Sequence, residues 1–190
     1  MVVKVAFEPQ CVEILRAGSV PVEPGRKEDD VEIRRSVLVP YSVEAMFDLI
    51  ERAESYPAFL PWCSAVEILE RSDEWVAARI EFSHLGLRFA MRTRNPKRRP
   101  EWLQVRLVEG PFKRFQGDWH LLPLADQGCK VSFDLSYQFS EGLVDRVAQV
   151  ALDRIFGSVV EAFVKRADAT LTPLATGAGA ASGTPPSPLR

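Results

Sequence analysis

The sequence predicts an α+β fold in which one curved antiparallel sheet wraps around a long C-terminal helix. Three observations carry this reading. Residues 142–167, GLVDRVAQVALDRIFGSVVEAFVKRA, form a single helical pattern without proline. Its apolar residues fall on two adjoining i, i+4 ladders, Val144-Ala148-Leu152-Phe156-Val160 and Val147-Ala151-Ile155-Val159-Phe163. About half of the circumference is therefore apolar, as in a helix laid against a core. Between Ala65 and Phe139, apolar and polar residues alternate with the period of a strand buried on one face. Short turns such as Ser83–Gly86 and Asn95–Pro100 separate these runs, which argues for meander connections rather than parallel crossovers.

Each element follows from local chemistry. In residues 1–31, Val2, Val3, Val5 and Phe7 suit a short strand, while Pro21, Pro24, Gly25 and the charged run Arg26–Asp30 read as linker. We read this stretch as a mobile N-terminal extension. Residues 32–172 form the domain. Glu32–Val39 is a first strand that stops at Pro40. Ser42 is a good N-cap for a helix that sets Val43, Met46, Phe47 and Ile50 on one face and runs through Ala53. The segment Ser55–Cys63, SYPAFLPWC, combines two prolines and three aromatics with almost no charge. Strands then centre on Val76–Phe82, Leu87–Arg92, Leu103–Leu107, Phe115–Leu121 and Cys129–Phe139. A sheet of six or seven such strands tends to curl, which leaves room for a cavity against the long helix. Residues 173–190 are expected to be a disordered tail, because Ala175–Arg190 has nothing apolar to bury beyond Leu189.

Bulk composition narrows the functional classes. With 190 residues, 46% of them hydrophobic, the chain suits one domain with a real core. A formal charge of −2 gives no global attraction to nucleic acid or anionic membrane, and DNA is not an expected partner. Cys11, Cys63 and Cys129 lie far apart, so reduced thiols in a cytoplasmic setting are expected. No apolar run has the length of a membrane span, and the start MVVKVAFEPQ lacks a secretory h-region. His84 and His120 are the only histidines and no Cys/His/Asp cluster has ligand spacing, so no metal site is indicated; the sequence also has no phosphate loop or dinucleotide fingerprint.

Several segments together resemble a known family. Val39-Pro40-Tyr41-Ser42, Tyr56-Pro57-Ala58-Phe59-Leu60-Pro61-Trp62-Cys63, Thr93-Arg94-Asn95, Gly110-Pro111-Phe112-Lys113, Gly117-x-Trp119 and Phe133-x-Leu135 carry the likeness over residues 32–170. The chain is similar to the coenzyme Q-binding and ribosome association toxin (RatA) proteins of the START-like, SRPBCC superfamily, which has the helix-grip fold. The resemblance implies a hydrophobic cavity that holds a polyprenyl quinone such as ubiquinone without chemistry on it. It also implies a delivery role for respiratory electron transfer, with transient inner-membrane contact. A second implied role is association with the large ribosomal subunit, blocking subunit joining. The superfamily also includes polyketide cyclase-like enzymes.

On this basis the expected ligand-binding residues are Tyr56, Phe59, Leu60, Trp62, Phe112, Lys113, Trp119, Phe156, Val160 and Phe163, with ubiquinone or another isoprenoid lipid as ligand and no cofactor. Two readings of Tyr56–Trp62 stay open: a proline-stiffened cavity rim, or a plug at one end of the core. Arg88, Arg92 and Arg94 share one strand face, continued by Lys97, Arg98 and Arg99 in the next turn. This basic patch is either a solvated outer face or a contact for ribosomal RNA phosphates or anionic lipid head groups. No aromatics interleave it in sequence, as single-strand binding would need. Asp118 and His120, two apart on one face, invite an acid/base reading, but with Trp119 inward both point to solvent. The chain is thus read as a binding protein rather than an enzyme. Gly157 is expected to let the long helix bend.

Overall fold

The alternating stretches become a meander of antiparallel strands. The computed structural model describes residues 3–7, 10–14, 31–84, 86–140 and 146–174. Its elements are β1 (Val3–Phe7), β2 (Gln10–Ile14), β3 (Val31–Val39), α1 (Val43–Glu51), β4 (Cys63–Arg71), β5 (Trp75–His84), β6 (Leu87–Arg98), β7 (Trp102–Glu109), β8 (Phe112–Pro123), β9 (Cys129–Phe139), α2 (Arg146–Gly157) and α3 (Val159–Thr170). The described strands make one sheet in the order β1-β2-β3-β9-β8-β7-β6-β5-β4. Only the β3–β9 neighbours are distant in sequence, and they pair in register from Val31↔Tyr137 to Val39↔Cys129. Within the stretch read as an extension, β1 pairs with β2, and β2 meets β3 at Glu13↔Leu38 and Ile14↔Val37. Most of the remaining expected tail lies outside the described residues. Leu174, near its start, donates its N–H to the Pro40 carbonyl at 2.7 Å.

The capping reading of the first helix holds. Ser42 Oγ accepts from the Ala45 N–H at 3.2 Å, and Val43, Met46, Phe47 and Ile50 are buried. The helix stops at Glu51 rather than Ala53, and a 3-10 turn over Ala53–Ala58 carries the chain to the rim segment.

Two expectations are corrected. Asn95–Pro100 is not a turn, because β6 continues to Arg98 and Pro96 sits opposite Trp75 in the β5–β6 register. Lys97 rather than Pro96 supplies the N–H to the Glu74 carbonyl, at 2.8 Å, so the missing proline donor costs no bond there. The C-terminal helix is not continuous either. It breaks at Ser158 into α2 and α3, and α3 runs on to Thr170; residues 142–145 of the expected helix lie outside the described residues. The cause is local. Gly157 has low helix propensity, and both the N–H and the Oγ of Ser158 turn to the Ile155 carbonyl, at 3.1 and 2.9 Å. Arg35 Nε donates to the Gly157 carbonyl at 3.3 Å, placing a cation at the C-terminal end of α2.

Both helices turn apolar residues to the concave face of the sheet. Leu152, Phe156, Val159, Val160 and Phe163 are buried against inward residues such as Val131, Leu135 and Trp119.

Candidate functional site

Aromatic rings pack between the sheet and the terminal helices. Phe163 on α3 meets Tyr56, Phe59 and Trp119 edge-on, with centroids 5.3, 5.1 and 5.1 Å away. Phe156, on the other side of the helix break, meets Trp62, Phe115 and Tyr137 at 6.1, 5.9 and 5.0 Å. Trp62 stacks on Phe82, which stacks on Phe89 at 4.5 Å. Phe112 closes the circuit through Phe89, Phe115 and Phe139 at 5.6, 4.9 and 4.5 Å. Offset and edge-to-face pairs at these separations each add about 0.5–1.5 kcal/mol beyond area burial.

The structure therefore gathers the predicted aromatics into two clusters of rings, Tyr56, Phe59, Trp119 and Phe163 around α3 and Trp62, Phe112 and Phe156 around α2. Leu60 and Val160 are buried in the core beside them. Lys113 is exposed. A register shift between Phe112 and Arg114 turns both Phe112 and Phe115 inward and leaves Lys113 outside. Gly117 matters here because a Cβ would lie 3.3 Å from the Phe133 ring, which stacks on Trp119 at 4.2 Å. Phe82, Phe89 and Tyr137 were not singled out in sequence. Their signal was the inward phase of the alternation, shared with ordinary core residues.

Polar groups mark three places in this apolar space. Tyr137 donates its hydroxyl to Asp153 on α2, and Tyr41 donates to Asp168 on α3 at 2.6 Å. Burial raises both phenol pKa values, and the carboxylate partners raise them further. The third place is on β6, whose inward positions carry Thr93, Asn95 and Lys97. Asn95 Oδ1 accepts from the Arg106 N–H at 3.4 Å, and Lys97 pairs with Glu51 of α1 at 2.5 Å. Thr93, 1% exposed, has its Oγ1 buried without a hydrogen-bond partner.

The opposite face of the sheet is charged. Asp118 accepts from Arg106 at 2.6 Å, and His120 is exposed, so the acid/base pair faces away from the interior as the alternation indicated. Arg88, Arg92, Arg94 and Arg98 are all exposed along the outer side of β6. The absence of interleaved aromatics is overturned by strand pairing. Trp75 on β5 lies opposite Pro96, with the Arg94 guanidinium 4.0 Å from its ring centroid, and Trp102 on β7 pairs with Arg98.

Residues 39–164 match the family model for polyketide cyclase / dehydrase and lipid transport proteins. The chain belongs to that family. It is 34% identical over 136 residues to the ribosome association toxin RatA of Escherichia coli K12, covering 72% of this chain and 86% of that protein. It is 26% identical over 145 residues to the mitochondrial coenzyme Q-binding protein COQ10 homolog B of Xenopus laevis, covering 72% of this chain and 58% of the relative. Among solved structures, a START superfamily protein from Mycobacterium smegmatis superposes with a TM-score of 0.61 at 16% identity, covering 73% of this chain and 97% of the other. That likeness, with the curved sheet and terminal helices, makes the fold the helix-grip of this family.

The described residues also bear on metal, thiol and membrane chemistry. None of them form a group of three or more His, Cys, Asp and Glu able to hold a metal ion. Cys63 and Cys129 are free and buried, and burial pushes their thiols up to about 11 and about 12, so neither is a thiolate near neutrality. No described helix is long and apolar enough to cross a membrane.

Proposed function

We propose that the protein binds a long isoprenoid lipid, a polyprenyl quinone such as ubiquinone, between the concave sheet face and α2–α3, and carries it without transforming it. The observation that bears most weight is the placement of Phe156 and Phe163. They sit on either side of the helix break, each ringed by aromatics from the sheet and from the Tyr56–Trp62 rim. Such walls favour a flat, unsaturated, apolar ligand. Binding then comes from apolar burial at about 25 cal/mol per Å², less ordering and association costs. The family's lipid-transport description and the name of the coenzyme Q-binding relative support the same reading. Solvent extraction of the protein purified from its native cells tests it: an isoprenoid quinone in stoichiometric amount is expected, and a ligand-free protein that quinone does not stabilise contradicts it.

A second reading, association with the large ribosomal subunit, is favoured by the exposed arginines of β6 and by the name of the 34% identical relative. It uses the opposite face of the sheet, so the two roles do not compete for the same residues. Salt-sensitive co-sedimentation with large subunits, lost on charge reversal of Arg88, Arg92 and Arg94, is the expected behaviour. Sedimentation unchanged by that reversal removes this face from the model.

A further inference from the structure

The outer face of β6 combines two features that the sequence keeps apart. The first is a row of exposed guanidiniums at Arg88, Arg92, Arg94 and Arg98. Arg92 and Arg94 are two apart on the strand, about 7 Å, while Arg88–Arg92 and Arg94–Arg98 are four apart, about 13 Å. These intervals match one and two steps of an extended single strand, whose phosphates are not compressed to the duplex rise of about 3.4 Å. The acid partners of this row are loose. Arg92 lies 3.5 Å from Glu109 and Arg98 lies 3.6 Å from Glu101, with every side chain in both pairs more than half exposed. Exposed pairs of this kind contribute about 0–1 kcal/mol, so a phosphate displaces them at small cost. Arg94 stacks on Trp75 instead.

The second feature is a groove of about 830 Å³ at the Arg94–Arg98 end of the row. Trp75, Pro96 and Trp102 form its apolar lining, beside Arg94, Arg98 and Arg106. Three cations at this end are committed to the fold: Lys97 to Glu51, Arg99 to Asp48, and Arg106 to Asp118 and the Gly117 carbonyl. Asp73 and Glu74 line the groove next to Trp75. These carboxylates repel a phosphate at that edge but not the flat face of a base. The groove thus has cations along β6 and half-buried indoles on the strands to either side.

We propose that this face binds a single-stranded RNA segment along β6, with phosphates on Arg88, Arg92, Arg94 and Arg98 and unpaired bases against Trp75 and Trp102. The proposal rests on the ribosome-association reading and gives it a partner chemistry: an unpaired stretch of RNA rather than a regular duplex. Base–aromatic stacking tolerates any base, so sequence preference is weak and salt dependence strong.

The test uses the full chain and a short, unstructured, labelled RNA, alone and annealed to its complement, with a DNA strand of the same sequence as a comparison. The single strand is expected to bind more tightly than the duplex. Trp75→Ala and Trp102→Ala are each expected to weaken it roughly tenfold at unchanged salt slope. Reversing Arg88, Arg92 and Arg94 to Glu flattens the slope by about 0.7 per lost phosphate contact. Quenching of native tryptophan fluorescence by the RNA reads the stacking without any substitution, should an alanine variant fail to fold. Equal affinity for single strand and duplex, with no quenching, overturns the proposal. Equal or tighter binding of the DNA strand overturns RNA as the partner. Co-sedimentation with large subunits separates the two levels. Loss on charge reversal but retention in the Trp75→Ala, Trp102→Ala double variant keeps the ribosome reading and rejects the stacking. Tryptophan-dependent RNA binding without co-sedimentation supports the RNA site and rejects the ribosome reading.

Discussion

Tyr137, fully buried in β9, donates its hydroxyl to Asp153, and this bond ties the sheet to the first terminal helix. Tyr41 does the same for the second helix through Asp168 at 2.6 Å. The break at Ser158 lies between the two clasps, so each helix is held independently. Tyr137→Phe keeps the ring against Phe156 but strands the Asp153 carboxylate. A loss of about 1.5–3 kcal/mol is expected, the range for hydrogen bonds to charged groups. Urea unfolding reads it as a lower midpoint at unchanged slope. An unaltered midpoint means that the clasp contributes nothing.

Gly157 is the last residue before the break, and a side chain there meets little. A Cβ would approach only the Arg35 guanidinium, the mobile end of a long side chain, at 3.3 Å. Gly157→Ala is therefore expected to be tolerated, with a gain of up to about 1 kcal/mol from helix propensity. If α2 moves at this point to admit a ligand, the stiffer variant exchanges bound quinone more slowly. Stopped-flow release at the native rate contradicts the hinge.

Thr93 offers a way to separate ligand head from ligand tail. Its buried hydroxyl has no partner in the protein, which leaves a desolvation penalty of about 1–3 kcal/mol. Thr93→Val keeps the shape and removes the hydroxyl, so thermal stability is expected to hold or rise. Affinity for a quinone, whose carbonyls accept a hydrogen bond, is expected to fall, and affinity for a plain isoprenoid hydrocarbon to stay. Equal effects on both ligands remove Thr93 from the head-group site.

Alkaline pH probes the buried thiols. Burial holds Cys63 up to about 11 and Cys129 up to about 12, whereas unfolded thiols ionise near about 8.5. Above that pH the unfolded chain has lost protons that the folded chain keeps, so stability falls as pH rises. The contribution of these groups is complete below about pH 8. It is lost on the way to about pH 12, with Tyr41 and Tyr137 adding to the loss from about pH 10. Chemical unfolding at stepped pH shows this as a decline that Cys129→Ala makes shallower. A flat profile from pH 8 to pH 11 contradicts the burial of these groups.

How far the sequence could be read depended on the range of the interaction. The meander was legible because inward residues such as Val131, Phe133 and Leu135 repeat with a local period. The N-cap at Ser42 and the apolar ladders of the terminal helices were equally local. The helix break was not, because Gly157 lowers propensity without dictating that Ser158 turn to Ile155. The β6 extension was hidden by Pro96, which marks a turn unless a neighbouring strand accommodates it. At the site, the rim motif and the two helix phenylalanines stood out by type and spacing. Thr93, the Tyr137–Asp153 clasp and the Trp75–Arg94 stack depend on register between distant strands and helices, which no single stretch encodes.

The claim on which the account turns is that Phe156 and Phe163 wall a site for an isoprenoid quinone. Titrating quinone into a Trp75→Phe, Trp102→Phe variant, whose remaining tryptophans Trp62 and Trp119 contact Phe156 and Phe163, while following tryptophan fluorescence tests it most directly. Saturable quenching with one quinone per chain, accompanied by a rise in unfolding temperature, is the expected result. A linear, unsaturable response with no change in unfolding temperature contradicts the account.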